Sequence, residues 1–306
     1  LYAAYSAYKQ GWLDVSGGHR LRWSVGGNPK GVPVLFLHGG PGGASHDVYR
    51  RFFDPLHYKV ILFDQRGSGQ SKPYASVEQN TTQDLVADIE ALRQHLGIEQ
   101  WIIFGGSWGS TLGLLSAQAN PEACLALCLR GIFFGDSDEI DWYVNGIPKL
   151  YPEAGEAFRA FIPDTEQQDL LAAYHRRLIS TNPQVHGPAS RAWNTFEATC
   201  AMVESRPTGS SSSLALARLE AHYLLNSFFM PDGHILENMA KIEHIPGIIV
   251  HGRHDAVCLP QQAYRLSQIW PKSVLRIVPQ AGHSAMEPNL RRALVGAMEN
   301  LKAIAP

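Results

Sequence analysis

Short apolar runs alternate with segments of helical period along most of this chain, and the rhythm breaks once. Residues 32–37 and 60–63 are continuous apolar runs of strand length, each ending in a glycine-bearing loop, 38–43 and 64–71. Residues 81–96 place Leu85, Ile89, Leu92 and Leu96 on one helical face, with Gly97 where a helix would stop. Trp101, Ile102, Ile103 and Phe104 form the next strand and run straight into Gly105. A helix follows over 108–119, ended at Asn120-Pro121, and 125–129 is a further strand. Upstream, 12–15 and 21–25 alternate around Gly17-Gly18, the pattern of a hairpin at a sheet edge. Residues 134–240 hold helical segments and several prolines but no run of strands. Strands resume at 248–250 and 274–278, each followed by a helix, 261–270 and 289–304. Strands alternating with helices predict an α/β fold with a mostly parallel sheet and flanking helices. The expected division is a catalytic core from 1–133 and 241–306, with 134–240 inserted as a helical cap.

Composition narrows this picture. At 306 residues the chain suits one large core with an insertion better than two full domains. A net charge of -2 gives no electrostatic case for nucleic acid or an anionic membrane, and none is expected as a partner. No apolar run is long enough to span a bilayer, and 1–15 carry no apolar segment of a signal peptide. Leu1 is not an initiating residue, so a few residues are expected to be missing from the start. Cys124, Cys128, Cys200 and Cys258 form no Cys-x-x-Cys pair and no zinc-spaced cluster. Free thiols in a reducing cytoplasm are expected, with no metal and no cofactor. Ser210 to Ser213 read as a flexible loop. No internal repeat is visible, and no pattern sets an oligomeric state.

The chemistry starts at Gly105-Gly106-Ser107-Trp108-Gly109. Strand, sharp turn, then helix is the context in which Gly-x-Ser-x-Gly presents an exposed nucleophile, Ser107. Without that context the motif is only a glycine-rich turn. A serine nucleophile needs a base, and the base an orienting carboxylate. His251-Gly252-Arg253-His254-Asp255 follows one late strand, and Gly282-His283-Ser284 the last. Ser107, Asp255 and His283 stand in the chain order of an α/β-hydrolase triad. The bland alternatives are a turn aspartate and a surface histidine, with His251 and His254 as second-choice bases. Acyl transfer also needs oxyanion donors: the N–H of Trp108 and one from the 38–42 loop, assigned to Gly40. His38 reads as a loop brace, and Asp64 with Arg66 as a bracing charge pair beneath the site.

These segments together resemble one family. His-Gly-Gly-Pro-Gly at 38–42, Asp-Gln-Arg-Gly-Ser-Gly at 64–69, Gly-Gly-Ser-Trp-Gly-Ser at 105–110, Leu-Arg-Gly-Ile-Phe at 129–133, His-Gly-Arg-x-Asp at 251–255 and Gly-His-Ser at 282–284 look like the bacterial proline iminopeptidases, or prolyl aminopeptidases. The resemblance implies an α/β-hydrolase core with a helical cap. It also implies metal-free removal of N-terminal proline from peptides, and a triad on Ser107, Asp255 and His283. Segments 191–197 and 218–223 match those from which the family offers two glutamates to the substrate amino group, here Glu197 and Glu220, with Glu204 a weaker substitute. Phe133 and Tyr143 match aromatic positions of the ring pocket, with Trp142 adjacent. Leu224 stands where a phenylalanine is expected, a departure that would loosen the pocket. Cys258 matches a cysteine near the site, taken as a neighbour. Rival readings are an esterase or amidase of other specificity and a non-catalytic binding protein. An epoxide hydrolase or dehalogenase is disfavoured by a serine where those enzymes carry aspartate.

Overall fold

The computed structural model describes residues 1–203 and 213–304. Glu204 and the first three serines of the run, Ser210, Ser211 and Ser212, lie outside the described residues. Eight strands form one sheet: β1 (Ala7–Asp14), β2 (Arg20–Gly27), β3 (Val32–Leu37), β4 (Tyr58–Phe63), β5 (Trp101–Gly106), β6 (Cys124–Arg130), β7 (Gly247–Gly252) and β8 (Ser273–Val278). Their spatial order is β1-β2-β4-β3-β5-β6-β7-β8. The β1/β2 and β2/β4 pairs are antiparallel and the rest parallel. The edge hairpin turns through Ser16–Gly18, with Gly17 and Gly18 both at φ +70°.

The helices are α1 (Thr82–His95), α2 (Trp108–Ala119), α3 (Ser137–Asp141), α4 (Ile147–Leu150), α5 (Pro152–Ala160), α6 (Leu170–Leu178), α7 (Pro183–Cys200), α8 (Leu214–Leu225), α9 (His234–Glu237), α10 (Pro260–Ile269) and α11 (Pro288–Leu301). Helix α1 starts at a capping box, Thr81 with Asp84, and Gly97 (φ +62°) takes the left-handed turn after its end. Every residue of β5 and β7 is buried, which is why both read as continuous apolar runs. Helix α2 is buried from Trp108 through Gln118 and packs on β5 and β6. Between Arg130 and Gly247 the described residues form helices and turns and no strand. The central strands therefore carry two clusters of core residues, one on each face of the sheet. The loops after β3, β4, β5, β7 and β8 gather at the strands' carboxyl ends, where such sheets bind ligands. No helix among the described residues is long and apolar enough to cross a membrane.

Candidate active site

Ser107 sits between β5 and α2 at φ 58° and ψ -129°, a backbone conformation that few non-glycine residues adopt. The flanking glycines permit it. A Cβ on Gly105 would stand 2.0 Å from the Gly109 carbonyl oxygen, and one on Gly109 would stand 2.2 Å from that of Leu37. The turn is thus closed by backbone on both sides, which is the physical content of Gly-x-Ser-x-Gly. Trp108 is the first residue of α2, so its N–H has no acceptor within the helix.

His283 and Asp255 arrive from the loops after β8 and β7. Nδ1 of His283 lies 2.8 Å from Asp255 Oδ2 and 3.0 Å from Oδ1. Oδ1 also accepts from the N–H groups of Val257 and Cys258. Burial alone would raise the pKa of Asp255, but the charge and hydrogen bond of His283 and the Cys258 N–H outweigh it and hold it below its ordinary value. Gly131, at φ +55°, makes room for the pair: a Cβ there would meet His283 Cε1 at 3.1 Å and Asp255 Oδ2 at 3.5 Å. His283 and Ser107 line one cavity. His251 is occupied elsewhere: Nε2 donates to the Cys258 carbonyl and Nδ1 accepts from the Ile132 N–H. His254 is exposed.

Three loops are locked together beside the serine. His38 Nε2 accepts from the Gln65 N–H, Gln65 Nε2 donates to the His38 carbonyl, and Trp108 Nε1 donates to Gln65 Oε1. The Gly39 carbonyl accepts from His38 Nδ1 and the Gly43 N–H. In a trans peptide, that turns the Gly40 N–H the opposite way. Gly40 itself lines both cavities that contain Ser107. The expected Asp64–Arg66 pair does not form. Asp64 accepts from Ser45 N–H and Oγ and from the Gln70 N–H, while Arg66 turns to Asp88 (2.6 Å) and the Gln79 carbonyl. Backbone donors already satisfy Asp64, so the guanidinium goes to the acid that lacks them.

The second cavity at Ser107 has about 470 Å³ of empty space. It is lined by Phe133, Tyr143, Glu197, Glu220, Leu224, Cys258 and three residues not singled out from the sequence: Glu139, Val257 and Phe228. Glu197 comes from α7 and Glu220 from α8. Glu220 accepts from Trp193 Nε1 at 2.7 Å and is hydrogen-bonded to Glu197. Burial, then the charge of Glu197, push the Glu220 pKa well up; burial also raises that of Glu197, against the hydrogen bond from Glu220. Both carboxyls are thus pushed towards the neutral form, Glu220 further than Glu197. Glu197 Oε2 is buried with no partner. Leu224 lies in this cavity, but an aromatic wall is supplied by Phe228 (φ +51°), whose ring meets that of Phe133 edge-on at 4.8 Å. The pocket is therefore less open than Leu224 alone suggested. Trp142 faces away, its Nε1 donating to the Ala256 carbonyl.

Glu139 was hidden in the sequence because one acid in Asp138-Glu139 looks like any other helix-start charge. Its Oε2 accepts from the N–H groups of Phe134, Gly135 and Asp136, and its Oε1 is buried without a partner. With Asp136 and Asp138 it forms an acidic group whose ligand atoms lie within 4.8 Å of one another. Backbone N–H groups at the start of α3 already fill one side of that group, and Asp138 is exposed, so it reads as a helix cap.

Comparison with known proteins agrees with this architecture. A family model described as alpha/beta hydrolase fold matches residues 32–290. A proline iminopeptidase of Arabidopsis thaliana is 47% identical over 313 residues, spanning 99% of this chain and 82% of its own. One from Xylella fastidiosa is 46% identical over 98% of both chains. Among solved structures, a Mycobacterium smegmatis proline iminopeptidase superposes with a TM-score of 0.64 at 21% identity, covering 97% of this chain and all of its own. A Rhodococcus esterase superposes with a TM-score of 0.62 at 17% identity, covering 97% and 99%; both likenesses speak to the fold alone. By its match over nearly its whole length, the chain belongs to the α/β-hydrolases and, within them, to the proline iminopeptidase family.

Proposed function

We infer that the chain is a serine aminopeptidase that releases N-terminal proline from peptides through an acyl-enzyme. The observation that carries this is the pairing of buried Glu220 with half-buried Glu197 in a cavity that opens on Ser107. An esterase has no use for it. A bound N-terminal proline is a secondary ammonium with two N–H donors and one positive charge, and the unpartnered Oε2 of Glu197 offers an acceptor. In this reading Phe133, Tyr143 and Phe228 hold the pyrrolidine ring. The 134–240 block acts as the cap that closes over it.

The chemistry then follows. His283 takes the Ser107 proton as Oγ bonds to the prolyl carbonyl carbon, while Asp255 holds the imidazole and stabilises its cation. The N–H groups of Trp108 and Gly40 receive the developing oxyanion. Collapse breaks the C–N bond, and His283 passes the proton to the leaving amine. Water, activated by the same histidine, releases proline. Every group this needs is a side chain or backbone N–H of this chain. The four buried free cysteines favour a reducing compartment, the cytoplasm. Rates on proline β-naphthylamide and its N-acetyl analogue test the reading: the free amine should be cleaved and the blocked one rejected. Equal cleavage of both would move an esterase or amidase ahead, and no labelling of Ser107 by a fluorophosphonate would favour a binding protein.

A further inference from the structure

Two cavities meet at Ser107. The one holding the acid pair has about 470 Å³ of empty space; the other, about 870 Å³, shares Gly40, Ser107 and Glu197 with it and runs on past Tyr49, Arg130, His283 and Ser284. If the proline ring fills the first, the residue that leaves must lie in the second. Arg130 is the arginine that lines it, and its surroundings are unusual.

Arg130 ends β6 directly opposite Gly106 on β5. Its guanidinium lies flat against that glycine: a Cβ on Gly106 would meet Nη2 at 2.5 Å, Nε at 2.6 Å and Cζ at 2.8 Å. Gly106 precedes Ser107, so their Cα atoms are about 3.8 Å apart. Nη1 donates to the His283 carbonyl. Nε and Nη2 donate to no acceptor among the described residues, and no described carboxylate lies within 4.0 Å of the guanidinium. Those N–H groups are not sealed off, since none is among the buried unpartnered atoms. Burial lowers the Arg130 pKa and the charge of Asp255 partly offsets this, but a guanidinium remains cationic. A partly buried cation with two free donors, one residue from the nucleophile, is arranged for an anion.

We propose that Arg130 receives the C-terminal carboxylate of the leaving amino acid, so that the preferred substrates are prolyl dipeptides. The proposal rests on the aminopeptidase reading above. In a prolyl dipeptide the carboxylate carbon is three bonds beyond the scissile carbonyl carbon, at most about 4 Å away. A guanidinium against Gly106 is within reach of it and matches a carboxylate with two parallel N–H bonds. The zwitterionic dipeptide would then lie between charges of alternating sign, its ammonium on Glu197 and Glu220, its carboxylate on Arg130. A longer peptide offers a neutral amide at that point and an arylamide offers nothing. Glu197 also lines the second cavity, but the ammonium neutralises it when substrate is bound.

The competing role for Arg130 is purely positional: it tethers the His283 loop through one carbonyl. Comparison of kcat/KM for Pro-Ala, Pro-Ala amide and proline β-naphthylamide separates the two roles. Wild type should prefer the acid to the amide by roughly tenfold or more, the size of a charge-assisted hydrogen bond. Arg130→Met should bring the ratio close to one, whatever it does to the β-naphthylamide rate. Arg130→Lys should recover part of the ratio, as a point charge without the fork. If wild type cleaves acid and amide alike, the proposal is wrong, and no variant is needed to learn it. If Arg130→Met slows acid and amide by the same factor, the residue only positions His283. Failure of wild type on proline β-naphthylamide would sink the aminopeptidase reading itself and is seen separately.

Discussion

At Ser107 the backbone is strained so that one oxygen stands clear of the turn. Ser107→Ala removes that oxygen and nothing that packs, so turnover should vanish while the thermal transition stays put; residual activity above about a thousandth of wild type would mean another group attacks. The acid pair gives a finer test. The Glu220 pKa is pushed up further than that of Glu197, so Glu220→Gln, which puts a neutral donor there, is the milder change. Glu197→Gln removes the negative charge proposed to meet the ammonium. Both should lower kcat/KM on proline β-naphthylamide, Glu197→Gln by hundreds- to thousands-fold, since stranding a buried charge costs about 3–5 kcal/mol. Glu220→Gln should cost clearly less. Neither should slow labelling of Ser107 by a phosphonate that lacks an amine. Normal prolyl cleavage by Glu197→Gln would reduce the pair to ordinary helix charges. The candidate nucleophile was legible because its demands are local: two glycines, a strand before, a helix after. The raised carboxyl pair was not, because it depends on two helices meeting.

At the scale of elements, the sheet was legible almost strand by strand. Apolar runs of strand length, broken by glycine loops, carry their own punctuation, and β3 to β8 fall where those runs are. The cap was legible only as helical. Which helix face meets the core depends on neighbours distant in sequence. Thus Glu139 looked like a surface acid, although the turn from β6 into α3 folds its carboxyl inward onto three backbone N–H groups. The same holds for α7, which ends beside the loop of His283: the Ala201 carbonyl accepts from the N–H groups of both His283 and Ser284. The end of α7 is thereby tied to the His283 loop. Glu139 makes a prediction at this scale. Burial raises its pKa to about 8, against the pull of its backbone donors. Between the ordinary carboxylate range and that value the folded chain holds a proton that the unfolded chain has lost. Stability from this group is then present at low pH and declines as pH rises through that window. Each pH unit in which the states differ by one proton is worth about 1.4 kcal/mol. Glu139→Gln should gain on wild type by a few kcal/mol in urea unfolding between pH 5 and pH 8. A constant difference across that range would place a solvated, ionised carboxylate there.

Across the whole molecule, a covered, mostly parallel sheet presents its loops to one side, and α7 and α8 bring two acids to the same cavity as Ser107. In the proposed function that assembly separates catalysis, on the sheet loops, from recognition of the amino group, on α7 and α8. The separation should be visible in pH dependence. Attack by Ser107 needs neutral His283, whatever the substrate. On the proposed reading, binding of a prolyl ammonium needs, in addition, a negative charge on Glu197. Burial raises the Glu197 pKa, so its protonated form persists above the ordinary glutamate range. As pH falls through that raised value the pocket becomes neutral and loses its hold on the ammonium. Inactivation by a phosphonate without an amine should therefore follow only the histidine. The acid-side fall of kcat/KM on proline β-naphthylamide should carry a further loss on top of it. The ratio of the two rates should decline with falling pH, and Glu197→Gln should flatten it. If the two profiles superimpose in wild type, the carboxyl pair plays no part in holding the amino group. The cap would then select by shape alone, a weaker filter, since apolar fit discriminates by only about 1–3 kcal/mol.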